Sequence, residues 1–253
     1  MRTSPADTLV VLPALNEGRT LAVVIARLRT VAPDLDVLVV DDGSRDDTAD
    51  QARGSGARVV SHPFNLGYGA ALQTGYRAAV RAGYAYVVQM DADGQHDPGD
   101  VTRLLAPVRT GRADVAIGSR FVEASGYRMG AVRSVGRIFL QGLLRACGGP
   151  RIADPTSGFQ ALSIRAVRVC CSDRFPSDFP DVDVLLLLHR RGMRIVEVPV
   201  RMVANAAAHP QMHGGLRTVY YTYKMLLAVF RSAFAPRALA SDVKEAHDDD
   251  KHA

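Results

Sequence analysis

The chain of 253 residues contains no tryptophan and only three cysteines. Cys170 and Cys171 are adjacent and Cys147 stands apart, so no C-x-x-C pair occurs. This argues against a zinc framework and makes a reduced, cytoplasmic setting the expectation. No stretch offers about 18 uninterrupted apolar residues, so no membrane span is expected. The N-terminal M-R-T-S-P-A-D lacks the apolar run of a signal peptide. Also missing is the interleaving of basic and aromatic residues that lines a nucleic-acid groove. The net charge of +5 and pI near 9.3 therefore point to other anionic partners, namely nucleotide phosphates or an anionic membrane surface, and not to nucleic acid. No internal repeat is found. The 47% hydrophobic content suffices for one large core, and residues 1–235 are expected to form a single domain.

What is present is alternation. Residues 8–12 read as a buried strand ending in P-A-L-N-E, followed by a helix with Leu21, Val24, Ile25 and Leu28 on one face. Residues 36–40 are a second strand ending in Asp41-Asp42-Gly43-Ser44, after which Asp46 or Asp47 can cap a short helix. Residues 57–60 are a third strand. The stretch N-L-G-Y-G-A-A-L-Q-T-G at 65–75 is a glycine-rich turn running into a helix to about residue 82. Leu72 stands where a dinucleotide fingerprint needs its third glycine, so these glycines are read as close packing or backbone approach. Asp97-Pro98 opens another helix, with proline at its first position, and residues 114–117 form a further strand. Strands alternating with helices imply a Rossmann-like, mostly parallel α/β sheet flanked by helices. Ligands of such sheets sit beyond the carboxyl ends of the strands, where Glu17, Asp41, Asp42, Asp91 and Asp93 all fall.

The stretch that organises the rest is residues 84–98, Y-A-Y-V-V-Q-M-D-A-D-G-Q-H-D-P. A strand-length run over 86–90 stops at Asp91, and Asp93 follows. Two carboxylates at the end of a buried strand are costly unless a cation meets them. A hard divalent ion, Mg²⁺ or Mn²⁺, suits oxygen ligands and bound phosphates, and Gln95 adds a neutral oxygen. The same residues also suit an ordinary Asp-Gly and Asp-Pro turn.

Beyond residue 118 the alternation stops. Residues 120–145 hold five arginines, including Arg120 and Arg133, against one acid. They form either a solvated basic face or a phosphate-gripping cluster. D-P-T-S-G-F at 154–159 is a turn into a short strand, and Asp181 and Asp183 open a helix at 184–191, where carboxylates also suit the helix dipole. Residues 194–200 are a strand. Residues 205–215 read as a loop, with His209 and His213 in it. Residues 216–234 form an amphipathic helix with a basic face, suited to packing on the core or to lying on a membrane surface. Residues 236–253 are polar and expected to be disordered.

The ordered set P-A-L-N-E, V-V-D-D-G-S, N-L-G-Y-G-A-A-L, Q-M-D-A-D-G-Q-H-D-P and D-P-T-S-G-F resembles the inverting family-two glycosyltransferases of the GT-A fold. It is most similar to the dolichyl- or polyprenyl-phosphate mannose or glucose synthase branch. The resemblance implies a nucleotide diphosphate sugar as donor, a polyprenyl phosphate as acceptor and a divalent metal. It assigns nucleotide-sugar contacts to Pro13, Ala14, Glu17, Asp41, Asp42, Asp91 and Ala92. It assigns the metal to Asp91, Asp93 and Gln95, and the acceptor phosphate to Arg120, Arg133 and Ser157. It divides the domain into a nucleotide-sugar half (8–118) and an acceptor half (119–215). An anionic phosphate acceptor needs no general base. A saccharide or small-molecule hydroxyl would need one, with Asp154, Asp181 and Asp183 as candidates. Many relatives continue into transmembrane helices; here peripheral attachment to the cytoplasmic membrane is expected, with room for a small integral membrane partner protein. Two rivals remain open on sequence alone: a D-x-D phosphatase, and a non-catalytic nucleotide-sugar-binding subunit.

Overall fold

The computed structural model describes residues 6–122, 131–173, 175–177, 180 and 182–202, the side chains of 131–135 excepted. Strands β1 (Thr8–Ala14), β2 (Asp36–Asp41), β3 (Arg58–Ser61), β4 (Tyr86–Gln89), β5 (Val115–Ser119), β6 (Gln160–Ser163) and β7 (Ile195–Pro199) form one sheet in the order β3-β2-β1-β4-β6-β5-β7. Helices α1 (Gly18–Val31), α2 (Thr48–Gly54), α3 (Tyr68–Arg81), α4 (Val101–Arg109), α5 (Ala131–Ala146), α6 (Ile164–Cys170) and α7 (Val182–Arg190) connect them. The expected α/β architecture is therefore present, with boundaries shifted by one or two residues.

Both faces of the sheet are covered, which explains the unbroken apolar run of β1. Leu9 and Val11 join the cluster containing Leu72, Tyr76 and Leu185, while Val10 and Leu12 join the cluster containing Leu21, Ile25 and Leu104. Successive side chains of a strand point to opposite faces, and here each face meets a helix layer. All four are fully buried, at about 1.5–3 kcal/mol each. Leu21, Val24, Ile25 and Leu28 are the buried stripe of α1, as their spacing requires.

Two features depart from simple alternation. β6 runs antiparallel between β4 and β5, and α6 follows it directly, with Ser163 as N-cap accepting from the Ala166 N–H at 3.4 Å. The inversion has a positional consequence. β1, β2 and β4 run parallel, so their carboxyl ends share one edge. Because β6 is reversed, with Gln160 opposite Gln89, its beginning lies at that same edge. The turn that precedes β6 is thereby delivered to the end of β4.

At the start of α4, Asp97 accepts from the Gly99 N–H at 2.9 Å and Pro98 occupies the first position of a short 3₁₀ turn, Pro98–Asp100. This is the proline-initiated start that the sequence implies. Asp47 stands at the N-cap of α2, but its side chain makes no capping bond to the backbone; it accepts from the Gln51 side-chain amide at 2.8 Å. Asp46 does the bonding there instead, accepting from the Thr48 N–H at 3.1 Å.

Candidate active site

The carboxyl edge of the sheet gathers the first-strand motif, the acidic pair after β2, and the D-x-D segment. Pro13 and Ala14 lie at the end of β1, opposite Val40 and Asp41, and are buried. Asn16 then takes a left-handed backbone, φ 57°, a conformation asparagine tolerates better than most side chains. It is pinned by two bonds: its N–H donates to Ser44 Oγ at 2.9 Å, and its Oδ1 accepts from the Arg45 N–H at 2.9 Å. The reversal places Glu17 so that its N–H donates to Thr48 Oγ1 at 2.8 Å. Thr48 in turn bonds to Asp46 Oδ1. Thr20 Oγ1 lies 3.0 Å from both Glu17 Oε2 and the Ala92 carbonyl, which ties the first-strand motif to the middle of D-x-D.

Asp41 and Asp42 are both buried but perform different tasks. Asp41 Oδ1 accepts from the Ser44 N–H at 3.0 Å and closes its own turn. Asp42 reaches outward: Oδ1 accepts from Leu66 N–H and Oδ2 from Gly67 N–H, both at 2.9 Å, and Oδ1 lies 2.7 Å from His62 Nδ1. Asp42 therefore holds the glycine-rich turn in place. At Gly69 a Cβ would sit 2.1 Å from the Pro176 carbonyl oxygen, so close packing is the reason for that glycine.

Tyr68, between these glycines, has a role that the sequence reading missed. Its hydroxyl donates to Asp91 Oδ1 at 2.7 Å and accepts from Gln89 Nε2 at 3.3 Å, while Tyr76 donates to Gln89 Oε1. Burial, with the Asp91 charge adding to it, drives the Tyr68 phenol well above its ordinary pKa. Tyr68 thus stays a donor. The other side of Asp91 is bounded by Gly158, where a Cβ would fall 2.7 Å from Oδ2. His96 is buried, stacked on Phe159 with ring centres 5.0 Å apart. Its Nδ1 accepts from the Asp91 N–H at 3.3 Å and stands 3.8 Å from Oδ2. Burial, outweighing the nearby carboxylates, lowers its pKa, so this contact is with a neutral imidazole.

Asp93 accepts from the Gln95 backbone N–H at 2.9 Å and the Gln95 side-chain amide at 2.7 Å. Its carboxyl is nevertheless pushed above the ordinary value, first by burial and then by the charge of Asp91. Two carboxylates thus crowd a place that favours fewer negative charges, a demand a divalent cation meets. Among the described residues no group of three or more His, Cys, Asp and Glu is arranged for a metal. The carboxylate pair itself suits Mg²⁺ or Mn²⁺, which are commonly bound by one or two carboxylates together with substrate phosphates and water. Asp91 and Asp93 are the residues that would hold such an ion, with Gln95 bracing Asp93.

The acceptor-side candidates are described only in part. Arg120 directly follows β5. Its Nε and Nη2 donate to Asp154 Oδ2 and Oδ1, each at 2.6 Å. Asp154 is fully buried and cannot easily leave this pair. Glu197 of β7, which the sequence did not single out, accepts the N–H groups of Ala153 and Asp154 at 2.7 and 2.9 Å. Arg137 and Gln141 of α5 donate to the Ala153 carbonyl at 3.1 and 2.6 Å. Ser157 is buried, and its Oγ accepts from the Phe159 N–H at 3.3 Å. Asp183, in the first turn of α7, is buried and accepts from the Val184 N–H at 2.9 Å. Arg133 belongs to α5, but its side chain lies outside the described residues, as do Asp181, the loop with His209 and His213, and the amphipathic segment 216–234.

Comparison with known proteins places this edge in a family. A model of "Glycosyl transferase family 2" matches residues 9–168. The undecaprenyl-phosphate mannosyltransferase of Micrococcus luteus is 36% identical over 217 residues, covering 82% of this chain and 88% of the relative. The polyprenol monophosphomannose synthase of Mycolicibacterium smegmatis is 32% identical over 221 residues, covering 82% and 81%. Among solved structures, glucosyl-3-phosphoglycerate synthase from Mycobacterium tuberculosis, in complex with Mn²⁺, uridine-diphosphate-glucose and phosphoglyceric acid, superposes with a TM-score of 0.67 at 26% identity, covering 90% of this chain and 80% of that one. The chain belongs to glycosyl transferase family 2 and is a glycosyltransferase of the GT-A fold. Within the family it groups with relatives named for transfer to polyprenyl phosphates. The phosphatase and non-catalytic readings are thereby set aside. No helix among the described residues is long and apolar enough to cross a membrane.

Proposed function

We propose that the protein transfers a hexosyl group, of mannose or glucose type, from a nucleotide diphosphate sugar to a polyprenyl phosphate, with inversion at the anomeric carbon. The observation that carries this reading is the pair Asp91 and Asp93 at the end of β4, with Asp93 held above its ordinary pKa by burial and by its neighbour. The names of the two mannosyl-transferring relatives support the lipid acceptor. The neighbour's complex with Mn²⁺ and uridine-diphosphate-glucose supports the donor and the metal.

A divalent ion bound there supplies positive charge to the diphosphate as it leaves. The chain's own residues do the rest. Asp91 and Asp93 provide the anionic seat, Tyr68 and Gln95 orient the two carboxylates, and Glu17, Asp41 and Asp42 shape the edge where the nucleotide lies. An oxygen of the acceptor phosphate forms the new bond to the anomeric carbon. The bond from that carbon to the diphosphate oxygen breaks, and its electron pair leaves with the diphosphate. The attacking phosphate is already anionic, so no proton has to be removed. This agrees with the state of Asp154, whose two oxygens are both committed to Arg120.

A second reading is transfer to the hydroxyl of a small phosphorylated acid, favoured by the neighbour's complex with phosphoglyceric acid. Under it the base falls to Asp181 or Asp183. Peripheral membrane attachment through residues 216–234, with or without a small membrane partner, belongs to the first reading. Radiolabelled sugar transfer to polyprenyl phosphate, run beside neutral polyprenol and phosphoglyceric acid, separates them. Product with the lipid phosphate alone supports the first reading; product with a hydroxyl acceptor and none with the lipid phosphate overturns it.

A further inference from the structure

The hydrogen bonds behind Asp91 have a fixed direction. A carboxylate can only accept, so Tyr68 must donate to Asp91 Oδ1. With its proton committed, the Tyr68 oxygen accepts from Gln89 Nε2. The amide orientation that this requires turns Gln89 Oε1 toward Tyr76, which donates to it. Three neutral side chains, from α3 and β4, are thus aligned so that every proton points toward the anion. Such a row polarises cooperatively in a dry interior, and Tyr76 and Gln89 are both nearly fully buried.

The row engages one carboxylate oxygen only. Oδ2 of Asp91 accepts no hydrogen bond from the described residues. It stands beside Gly158, and the neutral His96 is 3.8 Å away. The placement of Tyr68 is itself constrained on both sides. Before it, Asp42 binds the N–H groups of Leu66 and Gly67. After it, the Ala70 N–H donates to the Ser177 carbonyl at 2.9 Å, and Gly69 packs against the Pro176 carbonyl.

We propose that Tyr68 is a positioning residue for the metal site: backed by Gln89 and Tyr76, its hydroxyl holds Oδ1 of Asp91 and so presents Oδ2 to the cation. The proposal rests on the assignment of Asp91 to a divalent ion. It gives the tyrosine of the glycine-rich turn a function distinct from helix packing, and it makes Asp91 a one-oxygen ligand.

The test is Mn²⁺ binding, followed by electron paramagnetic resonance in the presence of UDP or GDP, for the wild-type protein and Tyr68→Phe. Loss of an outer partner of a metal ligand weakens metal binding on the order of tenfold or more. Tyr68→Phe is expected to show that shift while its melting temperature stays within a few degrees of wild type. Its activity should recover in part as Mn²⁺ is raised. A purely structural tyrosine would lower the melting temperature and leave Mn²⁺ affinity unmoved. Should Tyr68→Phe fail to fold, Gln89→Met removes the donor behind Tyr68 without touching the carboxylate, and is expected to weaken Mn²⁺ binding in the same direction. Wild-type affinity in a folded variant overturns the positioning role alone. No Mn²⁺ binding by the wild-type protein with either nucleotide overturns the metal assignment, and the positioning role with it.

Discussion

Asp154, which has no exposed surface, receives Nε and Nη2 of Arg120 on its two oxygens, each at 2.6 Å. The pair joins the end of β5 to the turn before β6, and Glu197 and Gln141 fasten the same turn to β7 and α5. Removing one member of a buried ion pair typically costs about 3–5 kcal/mol, because the other charge is left without compensation. Asp154→Asn is therefore expected to lower the urea midpoint strongly, with activity falling through the loss of folded protein. An unchanged midpoint together with a collapsed kcat would contradict the structural role and return Asp154 to the candidates for a base.

Gly158 brings this turn against Asp91. A Cβ there would lie 2.7 Å from Oδ2 and 2.9 Å from Oδ1 of Asp91. The carboxylate is the end of a movable side chain, so Gly158→Ala is expected to displace it and leave the fold intact. The Mn²⁺ or Mg²⁺ concentration giving half-maximal activity should rise by about tenfold. An unchanged activation constant would show that Asp91 does not have to stand where it does.

Asp46 lies outside the reaction site and supports the first-strand motif through Thr48 and Gly18. Burial alone would raise its pKa, but the hydrogen bonds from Thr48 and Gly18 outweigh burial and hold it below the ordinary 3.8. A lowered folded-state pKa contributes stability above the unfolded value, and the contribution is lost as pH falls through the folded one. Asp46→Ala is expected to cost on the order of 1 kcal/mol at neutral pH, from the lost hydrogen bonds. The gap to wild type should narrow as pH falls below the ordinary 3.8 and on through the lower folded value. Urea melts from pH 7 down to pH 3 check this; a gap that widens in acid would contradict it.

How much of this was legible in the sequence differs from residue to residue. The strand-ending carboxylates Asp91 and Asp93 were, because an apolar run that stops at two acids is a local signal. Their gathering with Glu17, Asp41 and Asp42 was legible too, since strand–helix alternation dictates parallel strands with one shared carboxyl edge. The insertion of β6 between β4 and β5 was not, because strand neighbours are chosen by tertiary packing and leave no mark in a four-residue segment. Helix α6, I-R-A-V-R-V-C, is rich in β-branched residues and gave no helical signal apart from its Ser163 cap. Tyr68 was hidden because the glycines around it drew attention to backbone packing. Arg120 showed its charge in the sequence, but its partner lies 34 positions away at Asp154, and Glu197 is further still.

The central claim is that Asp91 and Asp93 seat the charge that lets the diphosphate leave. Asp93→Asn tests it most directly, since it keeps the shape and removes one charge. The measurement is transfer of labelled hexose from a nucleotide sugar to polyprenyl phosphate, with Mn²⁺ or Mg²⁺ supplied and folding verified by circular dichroism. The predicted result is a loss of about a hundredfold or more in turnover, the scale expected when a group acting on developing charge is removed. Near-normal turnover in the folded Asp93→Asn protein would contradict the account.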